Sequence, residues 1–220
     1  MQCALLVSKT TLSVDGKMSF YSSNYQKLIQ QYDALDPKEV HAGWLSLLPQ
    51  NQTIAALDIG AGSGRDARWL AAQGYEVIAI EPAAKLREAA QRHPDNKGIL
   101  WIDDKLPDLP RTTTLGIKYD LILVSAVWMH IHACARERAF RKLVNLLNNR
   151  GKLVITLRHG DFSDERIAYP VSVIELKQLA TQNVLQLIME NQSPDRMGRK
   201  DVSWATIVFQ RQDNGTSAVL

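Results

Sequence analysis

The order of apolar and polar segments predicts an α/β fold. It has a mostly parallel, seven-stranded sheet, helices on both faces and an antiparallel hairpin at the C-terminal edge. Three observations lead there. Short apolar runs alternate with helix-length segments from Ile54 onward, the pattern of parallel strands joined by right-handed crossovers. The first run, Ile54 to Ile59, opens into glycines at alternate positions, Gly60, Gly62 and Gly64, and a second run closes on the acid Glu81. The last two runs, Val184 to Glu190 and Trp204 to Gln210, have a charged stretch between them, Asp195 to Asp201, in place of a helix.

The elements follow in order. Ser19 to Leu35, rich in Tyr, Gln and Leu, reads as a helix that stops at Asp36-Pro37. Lys38 to Leu48 reads as a second helix with Val40, Trp44, Leu45 and Leu48 on one side, ended by Pro49 and Asn51. The first strand, Ile54 to Ile59, feeds a helix from Gly64 to Gln73. Strand Glu76 to Ile80 precedes helix Pro82 to Arg92, with proline at the start, where its missing N–H costs nothing. Ile99 to Ile102 is a short third strand, and a loop through Pro107 and Pro110 leads to a fourth, Tyr119 to Ser125. A basic amphipathic helix, Arg136 to Leu147, turns at Asn149-Arg150-Gly151 into strand Lys152 to Leu157. Helix Ile174 to Gln182 precedes the final hairpin. This divides the chain into an extension with cap helices over 1–50, one ligand-binding domain over 51–212 and a flexible tail over 213–220.

Composition narrows the classes. A chain of 220 residues with 45% hydrophobic and 22% charged residues is an ordinary globular domain with a full core. A net charge of +3 calls for neither nucleic acid nor a membrane surface. Cys3 and Cys134 make neither a disulfide framework nor a metal spacing, which predicts a reducing, cytoplasmic setting. Met1 to Gly16 lacks a basic leader and a long apolar core, so no signal peptide is expected. No apolar stretch reaches membrane-spanning length.

The glycine segment carries the functional reading. Glycines let the backbone turn sharply and come close to a ligand, and the helix that follows offers unpaired N–H groups. A carboxylate at the end of the next strand, here Glu81, suits a ribose diol. A dinucleotide fingerprint would put its third glycine at 65, where this chain has Arg65. The G-x-G-x-G spacing with the later acid instead resembles motif I of the class I S-adenosylmethionine (SAM) dependent methyltransferases. Trp101 to Pro107 resembles that family's segment after the third strand, where an aspartate meets adenine. Tyr119 to Leu123 resembles the motif IV strand, and Asn149 to Leu153 the turn into strand five, with Arg150-Gly151 replacing part of the usual Pro-Gly-Gly. Val127 to His130, Leu157 to Gly160 and Gly198 to Trp204 resemble a small bacterial subgroup of unassigned substrate. The resemblance runs from about Leu57 to Gln210 and implies a Rossmann-like methyltransferase fold. It implies SAM as cofactor and S-adenosylhomocysteine (SAH) as product.

The expected cofactor residues are Asp58, Gly60, Ala61, Gly62, Gly64, Arg65, Asp66, Glu81, Pro82, Asp103, Asp104, Ser125 and Ala126. Asp58 either holds the glycine loop and the SAM ammonium or caps the next helix. Asp66 complements the helix dipole, and Arg65 at a helix start has either a ligand-facing role or none. Of the aspartate pair, Asp103 is expected to meet adenine and Asp104 to be solvated. His130 is the candidate general base; the rival reading is a capping or packed histidine. Trp128 and Met129 line the pocket or belong to the core. Arg158 and His159, after strand five, suit an anionic substrate group or form a surface pair. Arg196 and Arg199 extend a basic rim or are solvated. Tyr21, Tyr25 and Tyr32 close over the cofactor or form a packing stripe.

The function expected is methyl transfer to a small-molecule acceptor without a metal, by a monomer or homodimer. His130 and His132 lack a carboxylate partner at ligand spacing. Motif IV has no N-P-P-Y or D-P-P-Y, which argues against methylation of base or amide nitrogens. Arg136, Arg138, Arg141 and Lys142 form a basic helix face without interleaved aromatics, read as solvated and not as an RNA or protein docking face. The alternatives are a non-catalytic SAM-binding sensor or partner protein and, on weaker grounds, an RNA or protein methyltransferase or an NAD-dependent oxidoreductase.

Overall fold

The computed structural model describes residues 20–48 and 54–213. The elements are α1 (Tyr25–Asp33), α2 (Pro37–Val40), β1 (Ala55–Ile59), α3 (Arg65–Ala72), β2 (Glu76–Ile80), α4 (Ala84–Gln91), β3 (Leu100–Ile102), α5 (Pro110–Thr114), β4 (Tyr119–Val124), α6 (Ala133–Leu146), β5 (Leu147–His159), α7 (Val173–Gln182), β6 (Leu185–Pro194) and β7 (Ser203–Arg211). One seven-stranded sheet has the order β3-β2-β1-β4-β5-β7-β6. Pairs from β3 through β5 are parallel, and β7 runs antiparallel between β5 and β6. The order reverses between β1 and β4, so a crevice opens beyond their C-terminal ends.

The central strands read as unbroken apolar runs because both of their faces are covered. On one face Leu57, Ile59, Ile122, Val124, Leu153 and Ile155 meet Phe140 and Leu143 of α6 and Leu176 and Leu179 of α7. On the other, Ala56, Val77, Leu121, Leu123 and Val154 meet Trp69 and Leu70 of α3 and Trp44. Phe140 is fully buried, edge-on to Trp128 and Phe209. Emptying that position with alanine costs about 3–5 kcal/mol.

Several expected boundaries move, each for a local reason. Lys38 to Leu48 is not one helix. Asp36 caps Lys38 N and Pro37 starts α2, but the helix ends at Val40, followed by a turn and a short 3₁₀ segment, Leu45–Leu47. Gly43 disfavours continuation, and His41 turns inward to stack on Trp69. The loop through Pro110 holds the short helix α5, whose Thr112 N and Oγ1 both donate to Asp104. Strand β5 starts at Leu147, and Asn149-Arg150-Gly151 is a bulge in it, with Arg150 at φ +60° and a register shift against β4. The basic helix is not wholly solvated. Arg136 is buried, donating to Ile131 O and to Glu175 of α7 at 2.7 Å, while Arg138 and Arg141 are exposed. The expected tail lies largely outside the described residues, as do Ser19, Pro49 and Asn51. No helix among the described residues is long and apolar enough to cross a membrane.

Candidate functional site

A cleft of about 340 Å³ lies beyond the C-terminal ends of β1, β2, β4 and β5. Its floor is the turn from β1 to α3. Gly60 sits at φ +69°, and a Cβ there would lie 2.5 Å from Val127 Cγ2, so only glycine lets the turn pass under the segment after β4. Gly64 has a different task. It caps α3 in the left-handed region, and a Cβ on it would strike the Trp101 ring at 2.9 Å. Gly64 packs on Trp101 and lies outside the cleft lining.

Three buried acids surround the glycine turn. Glu81 Oε2 accepts from Gly62 N at 2.9 Å and Oε1 from Ala83 N at 2.8 Å, so the carboxylate clamps the turn to the end of β2. Burial, only partly offset by those two N–H groups, pushes its carboxyl up to about 7. Asp66 accepts both Nε and Nη2 of Arg65, at 2.7 and 2.9 Å, and His41 Nε2 lies 3.1 Å away. Trp44 Nε1–H donates to His41 Nδ1, so a neutral His41 carries its proton on Nε2, facing Asp66. Burial opposes ionisation of Asp66, but His41 and the Arg65 fork outweigh it and hold it below the usual carboxylate range. Asp58 is the odd member. It is 1% exposed, and its Oδ2 has no hydrogen-bond partner among the described residues. Burial, reinforced by Asp66 and opposed by Arg65, pushes its carboxyl well above the ordinary value. A cationic ligand would reverse that.

The glycine turn is strapped to the N-terminal segment. Asp33 accepts from Ser63 Oγ at 2.7 Å and from Arg68 Nη2 at 3.0 Å, and Arg68 Nη1 donates to Ser63 O at 2.6 Å. Tyr32 lies over Gly62 and Tyr21 over His130; both phenols line the cleft and Tyr25 does not.

The far wall is built after β4 and β5. Ala126, at φ +56°, donates its N–H to Thr156 Oγ1 at 2.8 Å, and Ser125, Ala126 and Thr156 all line the cleft. His130 Nδ1 is 3.0 Å from Ile167 O. A carbonyl can only accept, so Nδ1 carries a proton, and in the neutral ring Nε2 accepts from Tyr21 Oη, 3.0 Å away. The imidazole stacks on Phe162 at 5.6 Å and 12°. Arg158 and Arg166 also place their guanidiniums over Phe162, at 4.2 and 4.1 Å from its centre.

Most predicted site residues converge on this cleft: Asp58, Gly60, Ala61, Gly62, Arg65, Asp66, Glu81, Pro82, Asp104, Ser125, Ala126, His130 and Arg158. Four more do not. Trp128 and Met129 are buried in the core, because the 3₁₀ turn at Trp128–His130 sends them inward and His130 outward. His159 is outside the lining because consecutive strand residues point to opposite faces, and Arg158 takes the cleft face. The aspartate pair is reversed. Asp103 is half-exposed between Arg87 and Arg111, while Asp104 is buried at the cleft. Asp104 accepts from Lys105 N and both Thr112 donors, which turns it inward. Thr156, Phe162 and Arg166 escaped sequence reasoning. The last two sit in the aperiodic loop after β5, where only the preceding Arg158 pointed toward the cleft.

Residues 57–155 match the family model described as a methyltransferase domain. Over that segment the chain is similar to methyltransferases. It is 28% identical over 155 residues to an uncharacterized methyltransferase of Alkaliphilus oremlandii, covering 70% of this chain and 63% of that protein. The chain thus spans less than two thirds of the length of the curated relatives it matches. Among solved structures, it is similar to Burkholderia thailandensis 1,6-didemethyltoxoflavin-N1-methyltransferase, with TM-score 0.67 and 18% identity, covering 89% of this chain and 87% of that one. It is also similar to a TehB-like SAM-dependent methyltransferase of Corynebacterium glutamicum, with TM-score 0.62 and 20% identity over 88% of this chain and all of that one. The acids and the glycine turn occupy one side of the cleft, and His130 and Arg158 the opposite side.

Proposed function

We propose that this chain transfers a methyl group from SAM to a small-molecule acceptor, leaving SAH, and that it does so without a metal. The observation that carries this is Asp58 Oδ2, a buried carboxylate oxygen without a partner among the described residues, beside the glycine turn and Glu81. It fits a ligand that brings positive charge together with hydroxyls. Asp58 would hold the ammonium, Glu81 the ribose diol, and Asp104 with Lys105 and Leu106 the adenine end. When bound, SAM supplies a methyl group already activated by its sulfonium.

The chain's own residues then position and deprotonate. The Ser125-Ala126 segment, held by Thr156, orients the acceptor across the cleft. His130 Nε2, once the acceptor displaces the Tyr21 hydroxyl from it, takes the proton of an acceptor hydroxyl or amine, with Ile167 O holding the ring in that tautomer. Tyr21 and Tyr32 cover the cleft and exclude water. The catalytic domain falls within 51–212, and residues 20–48 cap it. A cleft of about 340 Å³ supports small ligands over a polymer.

Calorimetric titration with SAM, SAH and NAD tests the cofactor. Micromolar binding of the first two and none of NAD is expected; NAD binding alone would end the reading. Transfer of isotopically labelled methyl to a small-metabolite pool then tests catalysis. Tight SAM binding with no transfer to any pool would leave a SAM-binding sensor.

A further inference from the structure

The cleft is electrically divided. Its cofactor half presents Asp58, Asp66 and Glu81. Its acceptor half presents four guanidiniums, Arg158, Arg166, Arg196 and Arg199. Three of these are already neutralised, Arg196 by Glu39 at 3.6 Å. Arg166 is forked onto Asp164 through Nε and Nη2, both at 2.8 Å. Arg199 is forked onto Asp195, which also accepts from Trp204 Nε1 at 2.9 Å.

Arg158 is different. It is 6% exposed, and among the described residues it has no carboxylate within ion-pair distance. Its Nη atoms donate to the carbonyls of Gly160 and Asp161, which bring no charge. Its Nε–H is buried without an acceptor. The two nearby acids are saturated by the other guanidiniums. A buried, unpaired guanidinium is costly unless something compensates it. Burial, then Arg199 and Arg166, push it below its ordinary range, and an added anion would relieve all three effects.

We infer that the methyl acceptor is an organic anion whose carboxylate or phosphate oxygens pair with Arg158, with an apolar body against Tyr21 and the edge of Phe162. A planar fork matches an oxyanion's two acceptors, which is what the orphaned Nε–H and the remaining Nη protons offer. Phe162, stacked on His130, would set that body beside the base. The word acceptor rests on the methyl-transfer reading; the anion site does not.

The test is calorimetric titration of SAH-loaded protein with benzoate, phenyl phosphate and neutral benzamide. At least one anion should bind more than about tenfold tighter than benzamide. That preference should vanish in Arg158→Gln and shrink in Arg158→Lys, with SAH affinity held within about twofold. Equal binding of anion and amide, no anion binding at all, or anion binding unchanged in Arg158→Gln would each overturn the inference. If Arg158→Gln does not fold, the wild-type comparison with Arg158→Lys decides. Should SAH fail to bind, the cofactor reading falls, and the same titrations on the unloaded protein still decide the anion site.

Discussion

The two halves of the cleft are made in different ways. Most of the cofactor half comes from one short segment, Asp58 to Pro82, in which strand, turn, helix and strand are consecutive, with Asp104 to Leu106 added after β3. Its acids are held by backbone N–H groups of the same segment and by an adjacent arginine. The acceptor half is assembled from four distant places. These are Tyr21 and Tyr32, the turn after β4, the loop after β5 with Phe162 and Arg166, and the β6–β7 hairpin with Arg199. The first half is acidic and the second basic and aromatic. A ligand-binding turn needs contiguous backbone, so it is inherited as a motif. An acceptor pocket needs only side chains brought to one point, so it can be rebuilt loop by loop.

This contrast can be broken by experiment. The largest effect should fall on chemistry alone. His130→Ala should lower methyl transfer by about 100-fold or more while leaving SAH affinity within about twofold, read by turnover and calorimetry. An equal loss in both would make His130 part of the cofactor half. Next, Glu81→Ala removes the clamp on Gly62 and Ala83 and the acceptor for ribose hydroxyls. SAH affinity should drop by about 2–3 kcal/mol, and unchanged affinity would remove Glu81 from the ligand.

Glu81 also predicts a pH dependence. Its carboxyl is raised to about 7 in the folded protein, so below that pH the empty site holds it protonated. Ribose hydroxyls donate to the ionised form, so binding releases up to about one proton, and affinity should fall up to about tenfold per unit as pH drops below 7. Stability has the opposite sign. The raised carboxyl stabilises the empty fold at low pH, and that contribution is lost between its ordinary value of 4.5 and about 7. Glu81→Gln should flatten both profiles; a sloping affinity in that variant would assign the dependence elsewhere, with Asp58 the next group to replace.

The smallest effect concerns the strap between the halves. Asp33→Ala frees Ser63 and Arg68 from the N-terminal segment. Asp33 is partly exposed, so denaturant unfolding should show a loss of only about 0.5–1 kcal/mol, with a similarly small fall in SAH affinity. A collapse of SAH binding would mean that the strap, and not the glycine turn, organises the cofactor half.

Legibility followed the same division. Asp58, Gly60, Gly62 and Glu81 could be read from the chain because strand, turn and acid are neighbours there and their spacing is dictated by backbone geometry. The fold order was legible because apolar runs alternate with helices. His41 gave no such signal, since its place beside Asp66 depends on α2 ending early at Val40, ahead of Gly43. Asp103 and Asp104 exchanged places because Thr112, eight residues after Asp104, supplies two donors. Phe162 and Arg166 lie in an aperiodic loop, and nothing local says which way such a loop folds back.

Local propensity and periodicity were enough for the sheet, the glycine turn and the acid at the end of β2, because each of those depends on residues only a few positions apart. Which guanidinium stays unpaired did not follow from the chain alone. Arg158, Arg166 and Arg199 are the same residue type in similar polar surroundings. Arg166 and Arg199 have carboxylates two and four residues away, Asp164 and Asp195, and it is the packing beside Phe162 that buries Arg158 without one.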